Sequence, residues 1–434
     1  MSTSALLLIA LASVLLLLLL VIKAKAHPFV ALLIVSLLVA FATGIPADKI
    51  ITTIEKGMGG LLGHIASIII LGSMLGVLIE ISGGAESLAK TLTGVLGSNR
   101  TIAALTIVAF ILGTPVFFEV GFIIIIPLIY GFSKVAHVSP LKFGLPMAGV
   151  MLTVHVALPT HPGAAAAASI LHSDVGWLML TGICISILVG VVGYFVARAM
   201  NKRHYHLSIN VLEQQQIAET PDLSLSAQQT RLAPPGALTI GGLIIIPIIL
   251  IVSGTLCQAF MQPESTVRQA MTVIGTPPVA LLIALGLASW TLGIRRRMSL
   301  KKLGEVTGSA IPSSADVILV AGAGGAFGGV LVASGIGNAL AQALETIHLP
   351  LMPAAFLLSL VLRASQGSAT VAILTTSGLL SQAVVGFEPQ QLVLVTMATC
   401  FGALGLSHVN DAGFWVVSKR RLSTVWQILK FLRG

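Results

Sequence analysis

Charge is scarce in this chain. Only 9% of its 434 residues are Asp, Glu, Lys or Arg, against roughly 25% in soluble domains. With 56% hydrophobic residues, no water-soluble fold could bury so much apolar surface, so lipid must solvate most of it. Cysteine is scarce too. Cys184, Cys257 and Cys400 are far apart and odd in number, which argues against a disulfide framework or a metal cluster and leaves them as small packing residues. Enzyme signatures are missing: there is no His-Glu-x-x-His zinc pair, no phosphate loop and no Gly-x-Ser-x-Gly nucleophile elbow. Gly322-Ala323-Gly324-Gly325 sits in an apolar run and reads as helix packing, so ATP-driven transport has no support within the chain. Strict alternation is missing as well, which excludes a membrane β-barrel.

What is present is a succession of continuous apolar runs. A helical span needs about 20 apolar residues, and on the order of ten to twelve candidate spans fit. The net charge of +9 would suggest nucleic acid in a soluble protein. Here the basic residues cluster between spans, at Arg198-Lys202-Arg203, Arg295-Arg296-Arg297 with Lys301-Lys302, and Lys419-Arg420-Arg421. That is the mark of cytoplasmic loops, so no nucleic-acid partner is expected. The first 22 residues lack a basic n-region, and Lys23 and Lys25 follow the apolar run, so an uncleaved first span ending in the cytoplasm is expected. The chain divides into N-terminal spans with an interfacial segment or loop at 46–64 (1–64), a first repeat (65–197), a polar cytoplasmic linker (198–236), connecting spans (237–303) and a second repeat (304–434).

The internal repeat is the most informative feature. Gly72-Ser73-Met74-Leu75-Gly76 leading to Ser82-Gly83 has a counterpart in Gly322-Ala323-Gly324-Gly325 leading to Ser334-Gly335. An apolar segment broken at Gly113-Thr114-Pro115 matches one broken at Arg363-Ala364-Ser365-Gln366-Gly367. An interruption at Pro159-Thr160-His161-Pro162-Gly163 matches Ser407-His408-Val409-Asn410-Asp411. Partners lie about 250 residues apart in the same order. Paired interrupted segments point to the binding site of a secondary transporter, although Gly and Pro also serve helix packing alone. At each first break the flanking runs are too short to span. Two re-entrant hairpins are expected, the alternative at Pro115 being one kinked helix. The fold class expected is an all-α polytopic membrane protein with two inverted repeats, re-entrant hairpins and interrupted helices.

The breaks carry the candidate chemistry. Glu119 follows the first one, between aromatic residues. Charge there is costly, so it can load and release a proton, or else pair structurally with a base. Arg363 keeps its charge and can hold a carboxylate bidentately, or form an internal ion pair. Thr114, Ser365, Gln366, Ser368 and Thr370 offer neutral groups suited to hydroxyls. His161, His408, Asn410 and Asp411 in the second pair of breaks can bind polyol hydroxyls or relay protons. His155 and His172 are weaker candidates, and Asp316 reads as a helix cap.

These residues resemble the gluconate permease family of gluconate:proton symporters. The stretches that carry the likeness include Glu55-Lys56-Gly57-Met58-Gly59-Gly60, Phe117-Phe118-Glu119-Val120-Gly121-Phe122, His161-Pro162-Gly163, Gly367-Ser368-Ala369-Thr370 and Ser407-His408-Val409-Asn410-Asp411-Ala412-Gly413-Phe414-Trp415. The resemblance implies uptake of gluconate or a related aldonate or hexuronate at the bacterial inner membrane, driven by the proton gradient and without a cofactor. It also implies an elevator-type fold, in which a dimerising scaffold makes a homodimer and a mobile domain carries both hairpins. Three departures stand out. Gly328-Gly329 replaces a usual Lys-Gln and Ala333 a usual acidic residue, both expected to bear on the cargo. Leu422–Leu432 is short and basic where members continue into another apolar helix, so the last span is expected to be absent or replaced. The alternatives are a permease for D-serine or another small hydroxy acid, a passive anion channel, and a membrane-embedded enzyme or sensor.

Overall fold

A computed structural model describes residues 1–97, 100–115, 118–135, 140–200, 234–346, 349–366 and 368–406. The linker at 201–233 and the segment 407–434, with His408, Asn410 and Asp411, lie outside the described residues. The first half comprises α1 (Thr3–Leu18, extended by a π turn to Lys23), α2 (Pro28–Ala42), α3 (Ala47–Ile81), α4 (Gly84–Leu96), α5 (Thr101–Gly113), α6 (Phe118–Val135), α7 (Leu141–Ala157), α8 (Pro162–Ile170) and α9 (Val175–Met200). The second comprises α10 (Ala237–Phe260), α11 (Thr266–Ile274), α12 (Pro277–Ala288), α13 (Leu300–Gly308), α14 (Ile311–Ser334), α15 (Ile336–Thr346), α16 (Leu351–Gln366), α17 (Ala369–Leu380) and α18 (Pro389–Gly402). No strand occurs among the described residues.

The repeat is legible in this order. The α3 helix corresponds to α13 and α14 together, α4 to α15, the α5–α6 hairpin to α16–α17, and α7 to α18. Both long helices end the same way. Gly83 (φ 77°) and Gly335 (φ 76°) take the left-handed conformation that stops a helix, a state that only glycine adopts at little cost. Each is followed at once by a short amphipathic helix. The arms of each hairpin pack on each other. Proline sets several helix starts, at Pro28, Pro162, Pro277 and Pro389, where its missing N–H costs nothing. Among the described residues, seven helical segments are long and apolar enough to span, and four more are apolar but shorter. Three of the short ones are α5, α16 and α17, arms of the two hairpins.

The expected loop at 46–64 is instead the first half of α3. Ile50, Leu61, Ile65, Ile68 and Ile69 form a buried stripe, while Asp48, Lys49, Glu55 and Lys56 are exposed. The charges and glycines that read as a loop are the outer face and crossing points of an amphipathic helix. That stripe packs against α14 at very close range. A Cβ added at Gly57 would lie 2.5 Å from the Gly325 carbonyl oxygen, and one at Gly329 would lie 3.1 Å from Gly57 Cα. Small residues let membrane helices approach this closely. The Gly-rich run at 322–325 therefore serves packing, as expected. Gly329 serves the crossing with α3, and a Cβ added at Gly328 would lie 3.6 Å from Gly378 Cα of α17. The Gly328-Gly329 departure thus lies where α14 crosses its neighbours.

Two smaller expectations are corrected. Asp316 lies inside α14 and pairs with His27, the N-cap of α2, at 2.9 Å, so it is not a cap. Cys184 is exposed on α9, whereas Cys400 is buried in the core beside Leu362 and Ala372. The close crossing gives a test. Gly57→Leu should reduce the yield of monodisperse protein in detergent sharply, since forced overpacking costs about 1–3 kcal/mol or more. Gly59→Ala, where a Cβ meets nothing within 4 Å, should keep or slightly raise stability.

Candidate functional site

The two halves meet where their helices stop. In the first hairpin α5 ends at Gly113 and α6 begins at Phe118. In the first interrupted helix α7 ends at Ala157 and α8 begins at Pro162, with His161 as its extended N-cap (φ −105°, ψ 149°). The breaks fasten to each other. The His161 ring nitrogen Nε2 lies 2.8 Å from the Gly113 carbonyl oxygen. A carbonyl cannot donate, so Nε2 carries the proton. The Thr160 hydroxyl donates to the Thr114 carbonyl oxygen at 2.8 Å. These two carbonyls belong to the last turn of a helix that ends inside the protein, where they need partners.

The second hairpin reaches the same place. Its α17 helix begins at Ala369, and the N-cap Ser368 hydroxyl accepts from the Val371 N–H at 3.4 Å. A Cβ at Gly163 would lie 3.5 Å from Thr370 Cα and 3.0 Å from Ile373 Cδ1. The N-termini of α8 and α17 therefore abut. Each presents backbone N–H groups and the positive end of a helix dipole, the combination that binds anions. Glycine at 163 is what permits this approach, and the alanine run of α8, buried from Ala164 to Ala168, keeps the helix thin enough to fit among α3, α17 and α18.

Arg363 is 2% exposed. It lies in the last turn of α16, not in the break, which falls after Gln366. A guanidinium suits that position, since it complements the negative end of the helix. The His155 ring of α7 sits against His161, with ring centroids 4.5 Å apart. A continuous series thus runs from α7 to the tip of the first hairpin: His155, His161, Gly113.

The other expected residues divide. Thr114 is buried, and its hydroxyl donates back to the Phe110 carbonyl at 3.1 Å. Thr370 and Ser368 are at the junction. Ser365 and Gln366 belong to the end of α16, and Glu119 to the first turn of α6. Their side chains lie outside the described residues. The sequence makes His155 a weaker candidate than His161, and it lies near the end of α7, three residues before the break begins. No role for Thr160 is legible in the sequence, since a side chain bonded to a distant carbonyl leaves no local signal.

A family model, GntP family permease, matches residues 5–431. The chain belongs to this family. The inner membrane permease YgbN of Escherichia coli strain K12 is 60% identical over 419 residues, covering 96% of this chain and 92% of that protein. The gluconate permease of Zymomonas mobilis is 34% identical, covering 98% and 93%. The low-affinity gluconate transporter of Escherichia coli strain K12 is 33% identical, covering 99% and 94%. Among solved structures, the YdaH transporter of Alcanivorax borkumensis, described as having an unusual topology, aligns with a TM-score of 0.61 over 94% of each chain at 13% identity, a likeness of fold alone. The GntP permease is a transporter rather than an enzyme, a multi-pass protein of the bacterial inner membrane.

The tie between the breaks is testable in this permease. His161→Ala leaves the Gly113 carbonyl buried without its donor, and a lost partner of that kind costs about 1–3 kcal/mol. The purified variant should melt at lower temperature, as should Thr160→Val, while Thr160→Ser keeps the hydroxyl and should match the wild type. Unchanged melting of both His161→Ala and Thr160→Val would show that the tie is not formed.

Proposed function

We propose that this GntP permease imports a small sugar-acid anion, gluconate or a related aldonate or hexuronate, together with protons. The observation that carries the reading is the meeting of the α8 and α17 N-termini at Gly163 and Thr370, with the Arg363 charge buried near the end of α16, the other arm of the second hairpin. Helix N-termini and a guanidinium favour a carboxylate. The hydroxyl and amide side chains at 365–370 suit the polyol tail, with His408 and Asn410 as the counterpart set from the second interruption. Interrupted helices around a midplane site are the architecture of secondary transporters, and rocking or gating of one repeat against the other gives alternating access. A homodimer is taken as the working unit.

The cargo is better written as a sugar acid than as gluconate alone. Proteins named for gluconate are 33–36% identical to this chain, whereas the 60% identical permease bears no cargo in its name. Proton coupling rests on Glu119, placed at the start of α6 next to the break, with His161 and Asp411 as further candidates. A carboxyl group there is costly as a charge and cheap as an acid.

Reconstituted in proteoliposomes, the protein should take up labelled gluconate faster under an inward proton gradient and lose accumulation with an uncoupler. Uptake indifferent to the gradient would remove proton coupling. Competition by unlabelled aldonates and hexuronates, but not D-serine, is the expected order, and strong inhibition by D-serine would change the cargo class. Glu119→Gln should retain exchange of internal for external substrate while abolishing accumulation. Preserved accumulation would take the proton away from Glu119.

A further inference from the structure

A cavity with polar groups at its rim lies about one helical turn from the junction. It has a volume of about 620 Å³ and is walled by α3, α8 and the start of α12, within the range of roughly 300–1,000 Å³ for small-molecule pockets. Its rim is exposed and carries His64, His172 and Thr276, while its floor is formed by buried Ile65, Ile68, Ala165 and Ala168. Ser169 and Ser173 add hydroxyls to the wall. Ser173 is 7% exposed, and its Oγ has no hydrogen-bond partner among the described residues. A buried hydroxyl left in that state is a standing demand for a partner.

The cavity leads to the breaks. On α3, Ile68 in the floor is four residues from Gly72, whose added Cβ would lie 3.8 Å from the Thr160 carbonyl oxygen. On α8, Ala165 is three residues from Pro162. At about 1.5 Å per residue, both routes cover roughly 5–6 Å. The open side is fixed by charge. The α9 helix runs from Val175 to Arg198 near its end, and the α12 span runs from Pro277 to Arg295 and Arg296. Basic ends face the cytoplasm. The opposite ends, with His172, Ser173, Thr276 and Pro277, therefore face the periplasm.

We infer that this cavity is a periplasmic antechamber, where His64, Ser169, His172 and Ser173 hold a small polyhydroxylated carboxylate before it passes to the junction. The imidazoles at the rim and the hydroxyls on the wall match the hydrogen-bonding pattern of such a cargo, and the apolar floor keeps its stay short. The inference rests on the sugar-acid reading for its ligand, but not for its accessibility.

The test uses full-length protein in intact cells, with Cys184, Cys257 and Cys400 replaced by serine or alanine and Ser169→Cys added. A membrane-impermeant maleimide should label Ser169→Cys from outside, and external gluconate should slow the labelling while glucose should not. In separate variants, His64→Gln and His172→Asn should each raise the apparent KM for gluconate by about tenfold, the loss of one good hydrogen bond, with turnover nearly kept. Asparagine suits position 172 because the backbone there is left-handed (φ 54°). A purely structural role would instead lower turnover or the amount of protein. Labelling only after the cytoplasmic side is opened, or labelling that gluconate does not slow in a wild type that transports gluconate, overturns the antechamber. If the wild type takes up no gluconate and the cysteine is still labelled from outside, the cargo assignment fails and the periplasmic opening stands.

Discussion

A helix that stops inside a membrane protein leaves carbonyl groups that lipid cannot satisfy. Here the carbonyls of Gly113 and Thr114 at the first hairpin tip find their donors in His161 and Thr160, residues of another broken helix. The second break thus supplies the donors that the carbonyls of the first require. The second hairpin is held to the same point by close packing of Gly163 on Thr370. Around that joint lie two helix N-termini, the buried Arg363 and a cavity about one turn away.

The scaffold around the joint depends on a different device. Where soluble proteins drive helices together by burying apolar surface, membrane helices must gain from close fit. The α3–α14 crossing does this with glycines on both sides, Gly57 against Gly325 and Gly329. The crossing joins the first repeat to the second along the length of α3, which also forms one wall of the cavity and touches the Thr160 carbonyl near Gly72. A single long helix therefore links the entry region, the joint and the opposite repeat.

Much of this was legible in the sequence. Proline and glycine beside polar residues announced the breaks at 113–117 and 158–161, because those residue types cannot continue an apolar helix unaided. The 250-residue offset paired them with the second half. The stretch at 46–64 misled, since its exposed charges and its crossing glycines together imitate a loop while its apolar residues keep helical spacing. Gly328-Gly329 stands out in the sequence as a departure bearing on the cargo, and its packing against α3 and α17 is visible only once those helices are placed beside it. Arg363 was found as a residue but placed in the break rather than in the helix before it, and His155 gained weight only through its contact with His161. Contacts between segments some tens of residues apart or more, as for Thr160 with Thr114, leave no periodic trace. The residues His408, Asn410 and Asp411 lie outside the described residues, so the second interruption enters through its sequence alone.

The central claim is that the cargo binds at the joint of the two repeats, with its carboxylate toward the N-termini of α8 and α17. The most direct measurement is an electron cryo-microscopy structure of the protein in lipid nanodiscs with saturating gluconate. The account predicts ligand density bounded by residues 113–114, 161–163 and 368–370, with the carboxylate end nearest Gly163 and Thr370. Density at another place in the molecule, with the joint closed and dry, would contradict it.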